Sequence, residues 1–373
     1  MNYLFIKKID KVLVFAVALL IVLGLITIFS ISYSGDEMNF LNFKKQLLFA
    51  IIGFAAMFFA ASVDYRMLKN YSGALYAVIL VLLAAVLILG KVTRGTVGWF
   101  DLGIFSIQPA EFAKIGIIIV LAKYLSGVGN YYNIVKKILA SGMTTGALVF
   151  LILLQPDLGS SLVVLFIWFG LLCVFGLNMK QILLFCLMGV IVCVAGWTYV
   201  LEDYQKDRIY TFLNPQSDPL GSGYNVLQST IAIGSGNVWG KGLGHGSQSQ
   251  LNFLPEKHTD FIFAVIAEEM GLIGGALVIM LFALIFYRLL AIANEAQDNF
   301  GKLISLGALF MLLFHVIVNI GMNMGIMPVT GIPLPFVSSG GSSLIAFMII
   351  IGVVQSVYIN GRRYRFEGSD EEL

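Results

Sequence analysis

Apolar runs close to twenty residues long recur from one end of this chain to the other, each long enough to cross a bilayer as a helix. Composition agrees, because 59% of the 373 residues are hydrophobic and 12% charged, against roughly 25% charged in a soluble domain. Ten spans are predicted, at about 12–33, 46–62, 71–90, 111–126, 139–155, 160–177, 181–200, 261–288, 300–322 and 340–360. The expected fold is an all-α polytopic membrane protein of ten transmembrane helices, forming a single membrane domain over 1–373. A large extracytoplasmic loop, 201–260, joins spans 7 and 8, and a short cytoplasmic tail covers 361–373. The first run follows Lys7, Lys8 and Lys11 as a signal peptide would, but it is too long and lacks a small-residue cleavage site.

Basic residues orient the bundle, since inner loops carry an excess of Lys and Arg. With both termini in the cytoplasm, fourteen of the 23 basic residues fall inside, including Arg66, Lys136, Lys137, Arg288 and Arg362. Four of the others (Lys206, Arg208, Lys241 and Lys257) lie in the one long loop, which the rule discounts. All eight prolines fall in segments assigned outside. Proline ends helices, and irregular backbone near a membrane needs protein or water around it. The shaped, functional surface is therefore expected outside. No nucleotide-binding GxxxxGK[ST] occurs; the net charge of +2 says nothing about nucleic acid, but no basic patch of the density it needs exists, so no nucleic-acid partner is expected. Cys173, Cys186 and Cys193 lie in apolar runs without CxxC spacing and read as small buried hydrophobes. His245, His258 and His315 show no metal-ligand spacing, so no metal site is predicted on them. His315 and Asn319, one turn apart in the ninth span, are expected to bond to neighbouring helices.

The chain is organised around LNFLPEKHTDFIFAVIAEEMG, 251–271, where a polar segment runs into an apolar helix. Asp260 sits at the junction, and Thr259-Asp260 reads equally as a helix cap or as a catalytic carboxylate. Glu268 and Glu269 follow about two turns later, where ionisable groups are costly and mark functional sites. At about 100° per residue they cannot both share a face with Asp260, so one should bond to another helix, with Lys114 a candidate partner. Elsewhere outside, PAEFAK places Glu111 three residues before Lys114. That spacing is either a local ion pair or a cation offered to a lipid phosphate. In QPDLGS, Asp157 either caps the next helix or serves a substrate. Residues 91–110, with Trp99, Phe100 and Phe105, suit a segment lying among headgroups. GYNVLQSTIAIG in the long loop suits a short amphipathic helix, and GKGLGHG reads as flexible backbone rather than a phosphate loop. MPVTGIPLPFVSSGGSS, 327–343, cannot span; Ser342 and Ser343 are placed to cap the last helix.

Taken in order, SIQPAEFAK, QPDLGSSL, the DRI…FLNP run, GSG…GKGLG…FLPEKHTDFIFAVIAEEMG and PVTGIPLPFVSSGGSS resemble the SEDS (shape, elongation, division and sporulation) family of bacterial membrane proteins. TGIPLPF and SQSQLNFLPE look like its RodA-like, elongation branch. Departures are Ala110 where serine is frequent, Ser339 where tyrosine is frequent, and Lys45 where arginine is common.

The resemblance implies a peptidoglycan glycosyltransferase in the bacterial plasma membrane. It would polymerise lipid II and the nascent glycan strand at the outer face, partnered by a class B penicillin-binding protein. It further implies Asp260 as the essential aspartate, with Glu111, Lys114 and Asp157 as motif residues. Lys45, Arg208, His258 and Ser342 complete the expected substrate-binding set. The chemistry is compatible. A sugar hydroxyl needs a general base, and a pyrophosphate leaving group needs positive charge, from Lys114, Arg208 or a divalent cation such as magnesium. An α-linked donor giving a β-link inverts, and one base suffices for that. The rival readings are a lipid II flippase, with critical charges at the bundle midplane, and a non-catalytic scaffold.

Overall fold

The computed structural model describes residues 8–33, 40–93, 96–101, 103, 106–127, 132–199, 203–214, 221–251 and 253–367. Lys7, Phe105 and the end of the tail, all used above, lie outside the described residues, as do two of the eight prolines, Pro215 and Pro219.

Three helices open the chain: α1 Lys11–Ser32, α2 Leu41–Ser62 and α3 Tyr65–Leu89. Strands β1 Lys91–Thr93, β2 Thr96–Asp101 and β3 Ser106–Ile107 follow, then α4 Pro109–Ser126, α5 Tyr132–Leu153, α6 Leu158–Phe175 and α7 Met179–Tyr199. The long loop carries α8 Asp203–Leu213, α9 Ser222–Ser235 and the single turn α10 Ser247–Gln250. Helices α11 Ile262–Glu295, α12 Asn299–Asn323 and α13 Gly341–Glu367 close the bundle.

Nine helices among the described residues are long and apolar enough to cross a membrane. The one predicted span missing from these nine, the fourth, is α4, which carries Glu111, Lys114 and Lys123 within 18 residues. It packs among α3, α5, α6 and α12, and nearly all its residues are buried. Protein rather than lipid surrounds its charges, which is where charged groups in a bundle survive. Among the described residues, the one departure from an all-helical chain lies within 91–107. It forms a small antiparallel sheet of order β1-β2-β3, with Lys91 opposite Trp99 and Phe100 opposite Ile107. Thr, Val, Trp and Phe in alternation favour extended backbone, and the sheet folds onto the outer ends of α3 and α4.

Helix starts follow from aspartate caps. Asp10 Oδ1 accepts from Leu13 N at 3.0 Å, Asp64 Oδ1 from Arg66 N at 2.9 Å and Asp298 Oδ1 from Gly301 N at 2.7 Å, each satisfying an otherwise orphan amide. Two polar ties bind α1 to α11. Arg288 Nε donates to Asp10 Oδ2 at 2.8 Å at one end, and Ser30 Oγ donates to Glu269 Oε1 at 2.8 Å at the other. About twenty residues of each helix lie between them, roughly 30 Å at 1.5 Å per residue. That matches the hydrocarbon thickness of a bilayer, so the ties mark the two edges of the apolar slab. Glu269 therefore sits at one edge, the one that the basic-residue pattern assigns outside, and the first turns of α11 project beyond it.

Candidate active site at the outer face

A cavity of about 840 Å³ opens at the end of the bundle that the basic-residue pattern assigns outside. Its walls come from the start of α2 (Asn42, Lys45, Phe49), the sheet (Lys91, Trp99, Asp101), residues 254–259 and the glycines preceding α13. Of the predicted substrate residues, it unites Lys45 and His258. Asp260 is not part of the lining, but follows Thr259, which is. A Cβ on Gly331 would lie 3.7 Å from Asp260 Oδ2, so the carboxylate faces the loop between α12 and α13.

The backbone carrying Asp260 is gripped at three successive carbonyls. Ser339 N donates to His258 O at 2.8 Å, Ser338 Oγ to Thr259 O at 2.6 Å, and the side-chain amides of Asn319 and Asn323 to Asp260 O at 3.1 and 2.9 Å. Gln46 completes the frame, its Nε2 donating to Ser338 O and its Oε1 accepting from Gly340 N. Glu256 (φ 51) and Phe336 (φ 65) hold left-handed backbone in the two segments that meet here. Such strain persists only where the surroundings dictate it, and it clusters at functional sites. Asp260 is not the helix cap allowed by the sequence. The cap position is Phe261, and the first-turn amide of Ala264 donates instead to Asn323 Oδ1 at 3.1 Å.

His258 is only partly exposed, and burial pushes its imidazole down to about 4, with the neighbouring Lys257 cation acting in the same direction. It is therefore neutral at pH 7, and its Nδ1 has no hydrogen-bond partner in the protein. Burial also lowers Lys257. On the sheet, Lys91 Nζ donates to Asp101 Oδ2 at 2.9 Å, and that bond holds the Asp101 carboxyl below its usual range.

The other predicted residues lie elsewhere. Lys114 does not face a lipid phosphate. It is 1% exposed and donates to Glu111 Oε1 at 2.7 Å, with its Nζ 3.3 Å from His315 Nε2. An ammonium makes that Nε2 an acceptor, so Nδ1 carries the proton and donates to Pro333 O at 3.1 Å. Glu111 Oε2 is buried without a protein partner. Asp157 does cap α6, accepting from Ser160 N at 2.9 Å, and its other oxygen accepts from Gln108 Nε2 at 2.9 Å. Both oxygens are thus engaged structurally. Ser342 caps nothing: its hydroxyl accepts from Gln108 N and donates to Ser106 O, joining β3 to α4. Arg208 lies on α8, outside the cavity lining. Lys114 pairs with neither Glu268 nor Glu269. Glu268 takes Lys241, and Glu269 takes Ser30 on α1. GKGLGHG is not loose backbone, because its amides bond to that glutamate pair. Sequence reasoning missed Gln46, Gln108, Asn323 and Ser338. The available signal was a polar side chain in or beside an apolar run, which must find a partner inside protein.

Among the described residues no three His, Cys, Asp or Glu side chains converge as a metal site. Magnesium can be held by one or two carboxylates and substrate phosphates, and only a site of that kind fits these donors.

A bundle of apolar helices with a polar cavity at one end, near an aspartate whose backbone is rigidly held, defines a multi-pass membrane protein. The cell cycle protein family of FtsW, RodA and SpoVE matches residues 10–363. The chain is 39% identical over 362 residues to peptidoglycan glycosyltransferase MrdB of Escherichia coli K12, covering 94% of each. It is equally 39% identical over 359 residues to stage V sporulation protein E of Bacillus subtilis, covering 93% of this chain and 96% of that one. A chain of a solved peptidoglycan synthase complex, reported as coordinating polymerization and crosslinking, superposes with a TM-score of 0.81 at 36% identity, covering 95% and 99%. The chain belongs to the FtsW/RodA/SpoVE family of cell cycle proteins, the SEDS family of peptidoglycan glycosyltransferases.

Proposed function

We propose that this protein polymerises lipid II at the outer face of the bacterial plasma membrane, with Asp260 as the general base. The observation that carries this is the grip on the backbone of residues 258–260, which fixes Asp260 next to Thr259 on the wall of a cavity bearing cationic and neutral donors. Asp260 draws the proton from the 4-hydroxyl of the acceptor GlcNAc as that oxygen attacks the anomeric carbon of the undecaprenyl-pyrophosphate-linked strand. A positioned base contributes about 10²–10⁴-fold. The bond to pyrophosphate breaks, the anomeric centre inverts, and the proton rests on Asp260. Lys45, exposed on the cavity wall, supplies the cation that the leaving pyrophosphate requires. Neutral His258 orients a sugar hydroxyl. No step is routed through a metal.

We also propose that α4 completes a set of ten spans with both termini cytoplasmic, and that a class B penicillin-binding protein is the partner. MrdB and the sporulation protein match equally well, so the elongation role rests on TGIPLPF and SQSQLNFLPE. The test is incubation of lipid II with the purified chain and its penicillin-binding partner. Glycan strands are expected. Transfer of labelled lipid II across a vesicle without strands would instead establish a flippase, and neither activity would leave a scaffold.

A further inference from the structure

Eight residues beyond Asp260, Glu268 is fully buried and every donor around it belongs to one loop. Its Oε1 accepts from Lys241 Nζ at 2.9 Å and Gln248 N at 2.9 Å, and its Oε2 from Ser249 N at 3.0 Å. The loop backbone returns the grip. Lys241 N and Gly242 N donate to the carbonyls of Glu268 and Glu269, both at 3.0 Å, and Leu272 N donates to Asn237 O at 2.9 Å. These bonds are open because Gly271 breaks the helix with φ 66. Close approach is obligatory, since a Cβ on Gly246 would fall 2.6 Å from Glu268 Oε2. With its oxygens filled and no exposure, Glu268 cannot touch a substrate.

What it does touch leads to Asp260. Ser249, held by Glu268 at its amide, accepts at its carbonyl from Lys257 Nζ. Lys257 stands three residues before Asp260, where the grip on the carbonyls of 258–260 begins. The segment between Gly246 and Asp260 is thus strung between two anchors. Asn319, Asn323, Ser338 and Ser339 hold one end, and Glu268 holds the other.

We infer that Glu268, with Lys241, is a positioning residue for the reaction, a buried latch that sets where Asp260 stands beside the cavity. The inference rests on Asp260 being the base. Glutamate is required rather than glutamine, because Oε1 accepts from Lys241 Nζ and Gln248 N, with the Ser247 hydroxyl donating at 3.4 Å, and Oε2 accepts from Ser249 N, so an amide would turn its own NH₂ toward an N–H donor in either orientation. A displacement of about 1 Å at a reacting group costs up to about 10²-fold in rate.

The test compares wild type, Glu268→Gln, Lys241→Met and Asp260→Asn in nanodiscs with the penicillin-binding partner. It reads amide hydrogen exchange and the kcat and KM of lipid II polymerisation. Glu268→Gln should speed exchange at both 246–251 and 256–261 and lower kcat about 10- to 100-fold, with KM nearly unchanged. Lys241→Met keeps the backbone donors and should do the same more weakly. Loosening confined to 246–251, or an unaltered kcat, would overturn the latch. Should Glu268→Gln fail to fold, wild-type exchange and kcat in Lys241→Met would overturn it equally. Full activity in Asp260→Asn would remove the base assignment instead, while exchange would still report whether Glu268 orders the segment.

Discussion

Lys114 and Lys45 are two lysines on the outer half of one bundle, held in opposite ways. Lys114 is 1% exposed and closed in by Glu111 and His315, whereas Lys45 stands on the wall of an open cavity of about 840 Å³. The first cluster is architecture. Its ammonium bonds to a carboxylate on the same helix, and the imidazole hands the connection on to Pro333 O. It thereby joins α4 and α12 to the loop that Asp260 faces. The second region holds the groups proposed above as reagents: a cation, a neutral imidazole and, next to them in sequence, a carboxylate fixed through its backbone. Both would register as charged groups in a membrane protein. Only burial and partners separate them.

The comparison breaks most sharply at Glu111. Glu111→Gln leaves the Lys114 cation buried beside a neutral amide, and losing one partner of a buried pair costs about 3–5 kcal/mol. A large fall in thermal midpoint is expected. Adding Lys114→Met should recover most of it, because a neutral pair of similar volume needs no counter-charge.

A smaller effect belongs to His258. Its folded value, about 4, lies below the ordinary 6.5, so on acidification the unfolded chain takes up the proton first. The stability involved is present above pH 6.5 and lost as pH falls toward 4, at most about 3 kcal/mol. Thermal midpoints across that window should fall in wild type and fall less in His258→Asn.

Next comes Lys45→Met. If this lysine serves the substrate, KM for lipid II should rise about tenfold, equivalent to roughly 1.4 kcal/mol, while the thermal midpoint stays put. A lowered midpoint at normal KM would place Lys45 with Lys114 instead. Ser342→Ala should cost about 0.5–1.5 kcal/mol, the worth of an ordinary hydrogen bond, in the thermal midpoint and not in KM.

Much of the bundle was legible because bilayer thickness imposes a length on every apolar run. The sheet was not, since 91–107 is short and its extended form depends on the helix ends beneath it. At the site, capping by Asp157 was readable from a local spacing, as was the ion pair of Glu111 and Lys114. What stayed hidden was which cation remains accessible, because that depends on helices distant in sequence. His315 reaches Lys114 across 201 residues, and Gln46 meets Gly340 across 294. The rule that a membrane carboxylate marks function also pointed at Glu268 and Glu269. Apart from Ser30 on α1, their partners lie in a glycine-rich loop whose shape no periodicity announces.

The most direct test of the outer carboxylate as the chemical centre is lipid II polymerisation by Asp260→Asn beside wild type, each with the penicillin-binding partner and each shown to be folded. The substitution keeps the backbone carbonyl that Asn319 and Asn323 hold and removes only the base. No glycan strands from the folded variant is the expected result. Strands at the wild-type rate would contradict it and take Asp260 out of the chemistry.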